Sequence, residues 1–281
     1  MRYLDYKIAY RQDDVNIIKE GGLFPHPKSL TIYPSEVCNL NCIGCNSKPI
    51  HRKNGFMDFE TFEKIIKDFR IYGGEAVAFE GGGEPMLHPK IGFMITSCVG
   101  QELKVGIITN GTIYRKEMLY ADWIRISIHN PLKILSIVKK NIKRLMKNRT
   151  ITTIGVKFLR SKFGFNIVAG DMRVDYVQIK NLRNSPYSLV KNPKYVKPCG
   201  LTPLRAVVDY DGTFYPCPYF YAQKNTAMGK GVLSELWGTK AHKRAIKNIK
   251  NCNKYDCPLL EIDWNELRKA DLDFKIGRAH V

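Results

Sequence analysis

The chain predicts an α/β fold assembled from parallel β/α units, followed by a small β-hairpin plus helix. Two patterns carry this. Six short apolar runs alternate with helix-period segments between residues 30 and 180, the order from which parallel sheets with crossover helices are built. Beyond residue 198 the apolar period shortens to two, a tight turn follows, and one helical stretch closes the pattern. With 281 residues and 44% hydrophobic content, the chain can bury the core of one large barrel or of two domains.

Residues 1–27 are polar and aromatic, end in Pro25 and Pro27, and predict an N-terminal extension. A first strand at 30–33 feeds a cysteine-rich loop. Asp58 caps a helix whose Phe59, Phe62, Ile65, Ile66 and Phe69 share one face. A second strand, 76–79, runs into a glycine loop. The third, 105–109, stops at Asn110 and Gly111, and the fourth covers 124–128. Next comes an amphipathic helix with Leu135, Val138, Ile142 and Leu145 inside and Lys139, Lys140, Lys143, Arg144 and Lys147 outside. Strands at 151–159 and 176–180 complete the six, with a short or irregular helix over 165–174 between them. The main domain thus spans 28–183.

Residues 184–198 hold three prolines and no periodicity, so they predict a linker. Over 199–274 a second unit is expected. Leu204, Ala206, Val208 and Tyr210 alternate with Arg205, Val207 and Asp209, Asp211-Gly212 turns, and Phe214-Tyr215 returns. One helix is expected over 233–250, with Leu233, Leu236, Trp237, Ala241, Ala245, Ile246 and Ile249 as its apolar side. Residues 275–281 break the pattern and match the translation of a sequencing adapter, so a non-native tail is expected there.

No run of 18 apolar residues occurs, which argues against a membrane helix, and no charged-then-apolar segment opens the chain, so a cytoplasmic location is expected. In that compartment eight cysteines indicate metal or redox ligands rather than disulfides. The net charge of +19 suits an acidic partner, whether nucleic acid, an acidic peptide or an electron donor such as flavodoxin or ferredoxin. A solvated basic surface accounts for it as well, as the lysine-rich helix face illustrates.

The densest chemistry lies in Cys38-x3-Cys42-x2-Cys45. Three thiolates on one short loop can hold three irons of a four-iron cluster and leave the fourth open to a small molecule. About 40 residues later stands Gly82-Gly83-Glu84-Pro85, where glycines after a strand let backbone approach a ligand and a carboxylate or carbonyl can accept from an ammonium. In this order and at this distance the two motifs resemble those of the radical S-adenosylmethionine (radical SAM) enzymes, over roughly residues 29–183.

The resemblance implies a partial (β/α)6 TIM-like barrel with its site at the strand C-terminal ends. It implies a core 4Fe-4S cluster on Cys38, Cys42 and Cys45, and S-adenosylmethionine whose amino group lies by Gly82, Gly83, Glu84 and Pro85. Ser127 matches a polar position used on the cofactor, or bonds backbone at a strand end. Asn110 and His129 also stand at strand ends facing the expected mouth. Gly44 occupies the place where the family puts an aromatic on the adenine. Stacking must then come from elsewhere or be absent, and Ile43 offers apolar contact. Lys157 and Lys180, if they project inward, could grip a carboxylate or meet solvent. His88 and Cys98 are expected to be structural.

Four further cysteines, Cys199, Cys217, Cys252 and Cys257, bracket the hairpin and helix. The segment 207–217 resembles the SPASM and twitch auxiliary-cluster domains of radical SAM enzymes. Four cysteines fit the shorter twitch type with one extra 4Fe-4S cluster, although Cys252-x4-Cys257 departs from the usual Cys-x2-Cys. A structural zinc site would use the same ligands. The implied activity is reductive cleavage of S-adenosylmethionine to a 5′-deoxyadenosyl radical and hydrogen abstraction from a substrate. A peptide or protein being oxidised or crosslinked is the first expectation, and dehydrogenation of a small molecule the second. A basic, zinc-stabilised nucleic-acid-binding protein is the reading from a different class.

Overall fold

The computed structural model describes residues 26–42, 45, 55–128, 131–160, 173–181, 205–218, 220–222 and 224–249; for 131–133, 159–160, 179–181 and 205 it describes backbone alone. Several expectations therefore lie outside the described residues: the extension before residue 26, Ile43, Gly44, His129, the 165–172 part of the irregular helix, the side chain of Lys180, the linker 184–198, Cys199, Cys252, Cys257 and the tail 275–281.

The six predicted strands all form, with ends shifted by a residue or two. They are β1 (Ser29–Ile32), β2 (Ala76–Phe79), β3 (Lys104–Thr109), β4 (Trp123–Ile128), β5 (Thr153–Arg160) and β6 (Tyr176–Asn181). Each pairs in parallel with the next in sequence. The crossovers carry α1 (Phe59–Ile71), α2 (Ile91–Gly100) and α3 (Pro131–Asn148). Asp58 caps α1 as expected, its carboxylate accepting from the Thr61 N–H at 2.9 Å.

Alternation within the strands separates two faces. In β4, Ile124, Ile126 and Ile128 are buried together with Val138, Ile142 and Leu145 of α3 in the main core, so the helices cover that face. Trp123, Arg125 and Ser127 point to the opposite, concave side and are half-buried. Helix α1 seats Phe62, Ile65, Ile66 and Phe69 in the same core, as its spacing predicts. Cys98 is fully buried on α2, and burial first, then Glu63, pushes its thiol far up. It is a core residue.

The fold is the predicted α/β class with a parallel sheet, consistent with a partial TIM-like barrel. The hairpin extends that sheet. β7 (Arg205–Val208) pairs in parallel with β1 on the side away from β2, and β8 (Thr213–Tyr215) and β9 (Gly229–Lys230) follow antiparallel. Among the described residues the strand order is β6-β5-β4-β3-β2-β1-β7-β8-β9. Tyr33, Val207, Tyr215 and Tyr221 fill the concave side of this end as a separate cluster.

The helix expected over 233–250 is two, α4 (Leu233–Leu236) and α5 (Lys240–Asn248). Gly238 breaks it at φ +74°, Trp237 before it is extended, and Thr239 restarts the helix by accepting from the His242 N–H. The apolar period runs through a turn that only the glycine marks. No described helix is long and apolar enough to cross a membrane.

Candidate functional site

The loops after β1, β2 and β3 meet at the C-terminal edge of the sheet. Backbone bonding between β1 and β2 continues beyond the strands, with the N–H groups of Glu80, Gly83 and Glu84 donating to the carbonyls of Ile32, Ser35 and Val37 at 3.0, 2.7 and 2.8 Å. Ser35 closes a tight local turn by accepting from the Val37 N–H at 3.0 Å. The segment entering the cysteine loop and the glycine loop therefore move as one piece.

The glycines make this possible. A Cβ on Gly83 would stand 2.2 Å from the Val37 carbonyl oxygen, and one on Gly82 would stand 1.8 Å from Glu36 Oε1. The sequence suggested room for a ligand. In the structure these two positions first serve close packing against the chain that leads into Cys38.

Glu84 is buried at 2% exposure, and its carboxylate faces protein donors. Oε1 accepts from the Met86 N–H at 3.1 Å and the Thr109 hydroxyl at 2.5 Å, while Oε2 accepts from the Asn110 N–H at 2.7 Å. Burial raises its pKa and these hydrogen bonds oppose the rise. The carboxylate thus straps the glycine loop to the end of β3. The backbone groups of the loop are the part that can face a ligand. Pro85 opens a single 3₁₀ turn, Pro85–Leu87, and is buried.

Asn110 serves the same assembly. Its Nδ2 donates to Asn39 Oδ1 at 2.9 Å, Asn39 Nδ2 donates to the Thr112 hydroxyl at 2.8 Å, and that hydroxyl donates to Asn110 Oδ1 at 2.6 Å. Asn39 lies inside the cysteine loop, so this ring of polar groups ties Cys38 and its neighbours to β3. Sequence reading missed Asn39, Thr109 and Thr112; polar residues flanking two motifs were the available signal.

Cys38, Cys42 and Cys45 are half-buried on this loop. The Leu40 N–H points at Cys38 Sγ at 3.4 Å. The Cys45 N–H reaches the Cys42 carbonyl at 3.4 Å, curling the loop. Among the described residues no three His, Cys, Asp or Glu side chains converge closely enough to hold a single metal ion. A four-iron cluster makes no such demand, since each thiolate binds a different iron. A short loop of three thiolates, one with an N–H on its sulfur, fits that group better than it fits one ion.

Ser127 and Lys157 face each other on β4 and β5, with Gln178 of β6 next in the row. This row lies on the concave side near the strand ends. His88 is buried beside the glycine loop with its Nε2 2.8 Å from the Met57 carbonyl, and its Nδ1 accepts from the Lys90 N–H at 3.0 Å. That fixes a neutral ring with the proton on Nε2, and burial lowers its pKa. His88 is structural, as its place between Leu87 and Pro89 suggested.

Cys217 stands apart from these residues, just after β8. It is buried with Phe220 and Ile249, the latter at the end of α5.

Comparison with known proteins agrees with this geometry. The radical SAM superfamily description matches residues 32–155, somewhat under half of the chain. The "Tungsten-containing aldehyde ferredoxin oxidoreductase cofactor-modifying protein" of Pyrococcus furiosus is 35% identical over 83 residues, 29% of this chain and 23% of that protein. The "Antilisterial bacteriocin subtilosin biosynthesis protein AlbA" of Bacillus subtilis is 31% identical over 96 residues, 34% of this chain and 21% of its own. The matched segments thus span under a quarter of either relative. Streptococcus suis SuiB, solved with its precursor peptide SuiA, shares the fold at TM-score 0.65 and 15% identity, covering 93% of this chain and 76% of SuiB.

Proposed function

We propose that this chain is a radical SAM enzyme that oxidises or crosslinks a peptide or protein. The observation that carries the reading is the junction of the two motifs, where backbone bonds and Asn39 fix the cysteine loop against the glycine loop at the mouth of the sheet. In this reading Cys38, Cys42 and Cys45 hold the core cluster. Gly82, Gly83 and Pro85 supply backbone to the cofactor's amino group, while Glu84 and Asn110 hold that backbone in place. Ser127 faces the cofactor from β4. Held by Cys38, Cys42 and Cys45, a four-iron cluster would supply the one electron needed for reductive cleavage of S-adenosylmethionine to methionine and a 5′-deoxyadenosyl radical, which would take hydrogen from the substrate. The protein positions both partners and keeps water out.

Cys217 belongs, with Cys199, Cys252 and Cys257, to an auxiliary cluster of the twitch type. The packing of Ile249 near Cys217 supports this, because Cys252 follows only three residues later. The peptide substrate rests on analogy, since SuiB is described with a precursor peptide and AlbA by its part in subtilosin biosynthesis. The reductant is a small acidic electron carrier, flavodoxin or ferredoxin, suited to the +19 charge.

Iron, sulfide and cleavage assays on anaerobically reconstituted protein test the scheme. Cys38→Ala, Cys42→Ala and Cys45→Ala should each abolish reductive cleavage. Full cleavage in the triple variant overturns the assignment, as does zinc in place of iron at both cysteine sets. Replacing Cys199 and Cys217 together should remove about one cluster's iron and leave cleavage largely intact. Iron unchanged in that variant rejects the auxiliary site.

A further inference from the structure

The concave face divides into two unlike halves. Under β1, β7 and β8 it is closed by tyrosines. Under β4, β5 and β6 it carries Trp123, Arg125, Ser127, Gly155, Lys157, Tyr176 and Gln178, placed by register and alternation. Arg125 is the odd member. It is the one charged residue of Trp123–Ile128, its Nε is buried with no hydrogen-bond partner, and among the described residues no ion pair or hydrogen bond reaches its guanidinium. Partial burial of an unpaired guanidinium is costly, and strands seldom keep one without a partner.

Its neighbours on this face are glycines and aromatics. Arg125 stands opposite Gly155, and the Tyr176 ring lies over that glycine, where a Cβ would meet its Cζ at 2.0 Å. Trp123 lies two residues deeper on the same face, its indole covering Gly106 in the same manner, with a Cβ there meeting Cζ2 at 2.1 Å. Two aromatic residues thus share this face with Arg125, Tyr176 in its own row and Trp123 one row deeper. Lys157 and Gln178 sit in the next row toward the mouth. Glu80, at the end of β2, is in the row of Arg125 but two strands away, roughly 10 Å.

We propose that this face binds an anionic group of the substrate, a carboxylate or a phosphate, with Arg125 as its principal ligand and Lys157 and Gln178 beside it. The proposal rests on the radical SAM reading above for what a substrate is, though not for its test. Arg125 lies one row below Ser127, roughly 7 Å deeper than the strand-end groups assigned to the cofactor. That depth assigns the anion to the substrate rather than to the methionine carboxylate. A forked guanidinium takes either oxyanion with two parallel bonds.

The test is calorimetric titration of the full-length reconstituted protein with inorganic pyrophosphate and, separately, succinate. Each is run with and without S-adenosylmethionine. Wild type should bind at least one probe, and which one binds separates phosphate from carboxylate. Arg125→Gln should weaken that probe by about tenfold or more, while the affinity for S-adenosylmethionine stays within about twofold. Arg125→Lys should fall between, and it remains the readout if the glutamine variant melts early. Lys157→Gln should cost several-fold. Failure of wild type to bind either probe, or equal binding by Arg125→Gln and Arg125→Lys, overturns the proposal. Loss of cofactor affinity with probe affinity unchanged reassigns Arg125 to the cofactor and overturns it too. Absence of cofactor binding in wild type would instead defeat the radical SAM reading and leave the anion result standing.

Discussion

Glu84 shows how a residue's chemistry is set by what it faces. Its carboxylate is buried, yet three donors surround it, one from the glycine loop after β2 and two from the end of β3. Glutamine keeps the shape but replaces one accepting oxygen with a donor. Whichever way the amide turns, it confronts an N–H or a hydroxyl that already points at it. Glu84→Gln should therefore cost ~2 kcal/mol of stability and loosen the cysteine loop through Asn110. Urea unfolding of the apo protein measures the first effect, and iron content after reconstitution measures the second. Stability equal to wild type would mean that the strap contributes nothing.

At the scale of elements, glycines decide where loops and strands can touch. Gly83 sits against a backbone carbonyl that no rotamer change can move, whereas a Cβ on Gly100, at the end of α2, would meet nothing within 4 Å. Alanine at these two positions should act in opposite directions. Gly83→Ala should push the glycine loop off Val37 and lower iron incorporation sharply. Gly100→Ala should leave incorporation unchanged and raise stability by up to about 1 kcal/mol, through helix propensity and a less flexible unfolded chain. Thermal melts and iron analysis of the pair separate a local clash from a general effect of the added methyl. Equal behaviour of the two variants would contradict the packing described here.

For the whole molecule, stability should depend on pH through its buried imidazoles. His242 is fully buried on α5, its ring tilted against that of Trp237 with centroids 4.0 Å apart, and its Nδ1 accepts from the Gly238 N–H at 3.0 Å. Burial, with a smaller contribution from Lys243, lowers its pKa from 6.5 to about 4. Below pH 6.5 the unfolded chain therefore takes up a proton that the folded chain refuses until about pH 4. Stability should fall with pH across that window, by on the order of 3 kcal/mol. His88 acts in the same direction, while the raised pKa of Glu84 acts oppositely. His242→Asn keeps an acceptor near the Gly238 N–H without the titration. Its denaturant midpoint should fall less steeply from pH 6.5 to 4 than that of wild type. Parallel slopes would remove His242 as the cause.

The sequence by itself determined the strand and helix order and both motifs, because these are local. Alternating apolar runs, the Asp58 cap and the cysteine spacing are each complete within a few residues, so the six strands and α1 could be read directly. It also marked Cys38, Cys42, Cys45 and the glycine loop as a pair by their order. Tertiary structure alone decided what those residues touch. Nothing near residue 205 announces that β7 will lie along β1, since parallel neighbours share no turn and their pairing is a contact across more than 170 residues. Glu84 and Asn110 have the chemistry of ligands in the sequence and of struts in the fold, because their partners arrive from other loops. The break at Gly238 had a signal, but a helical apolar period continued past it, and only the positive φ shows which of the two prevails. Arg125 was legible only as a charge in a strand. Register turned it toward the concave face, where it is half-buried without a counter-ion among the described residues, beside Trp123 and Tyr176 packed over two glycines.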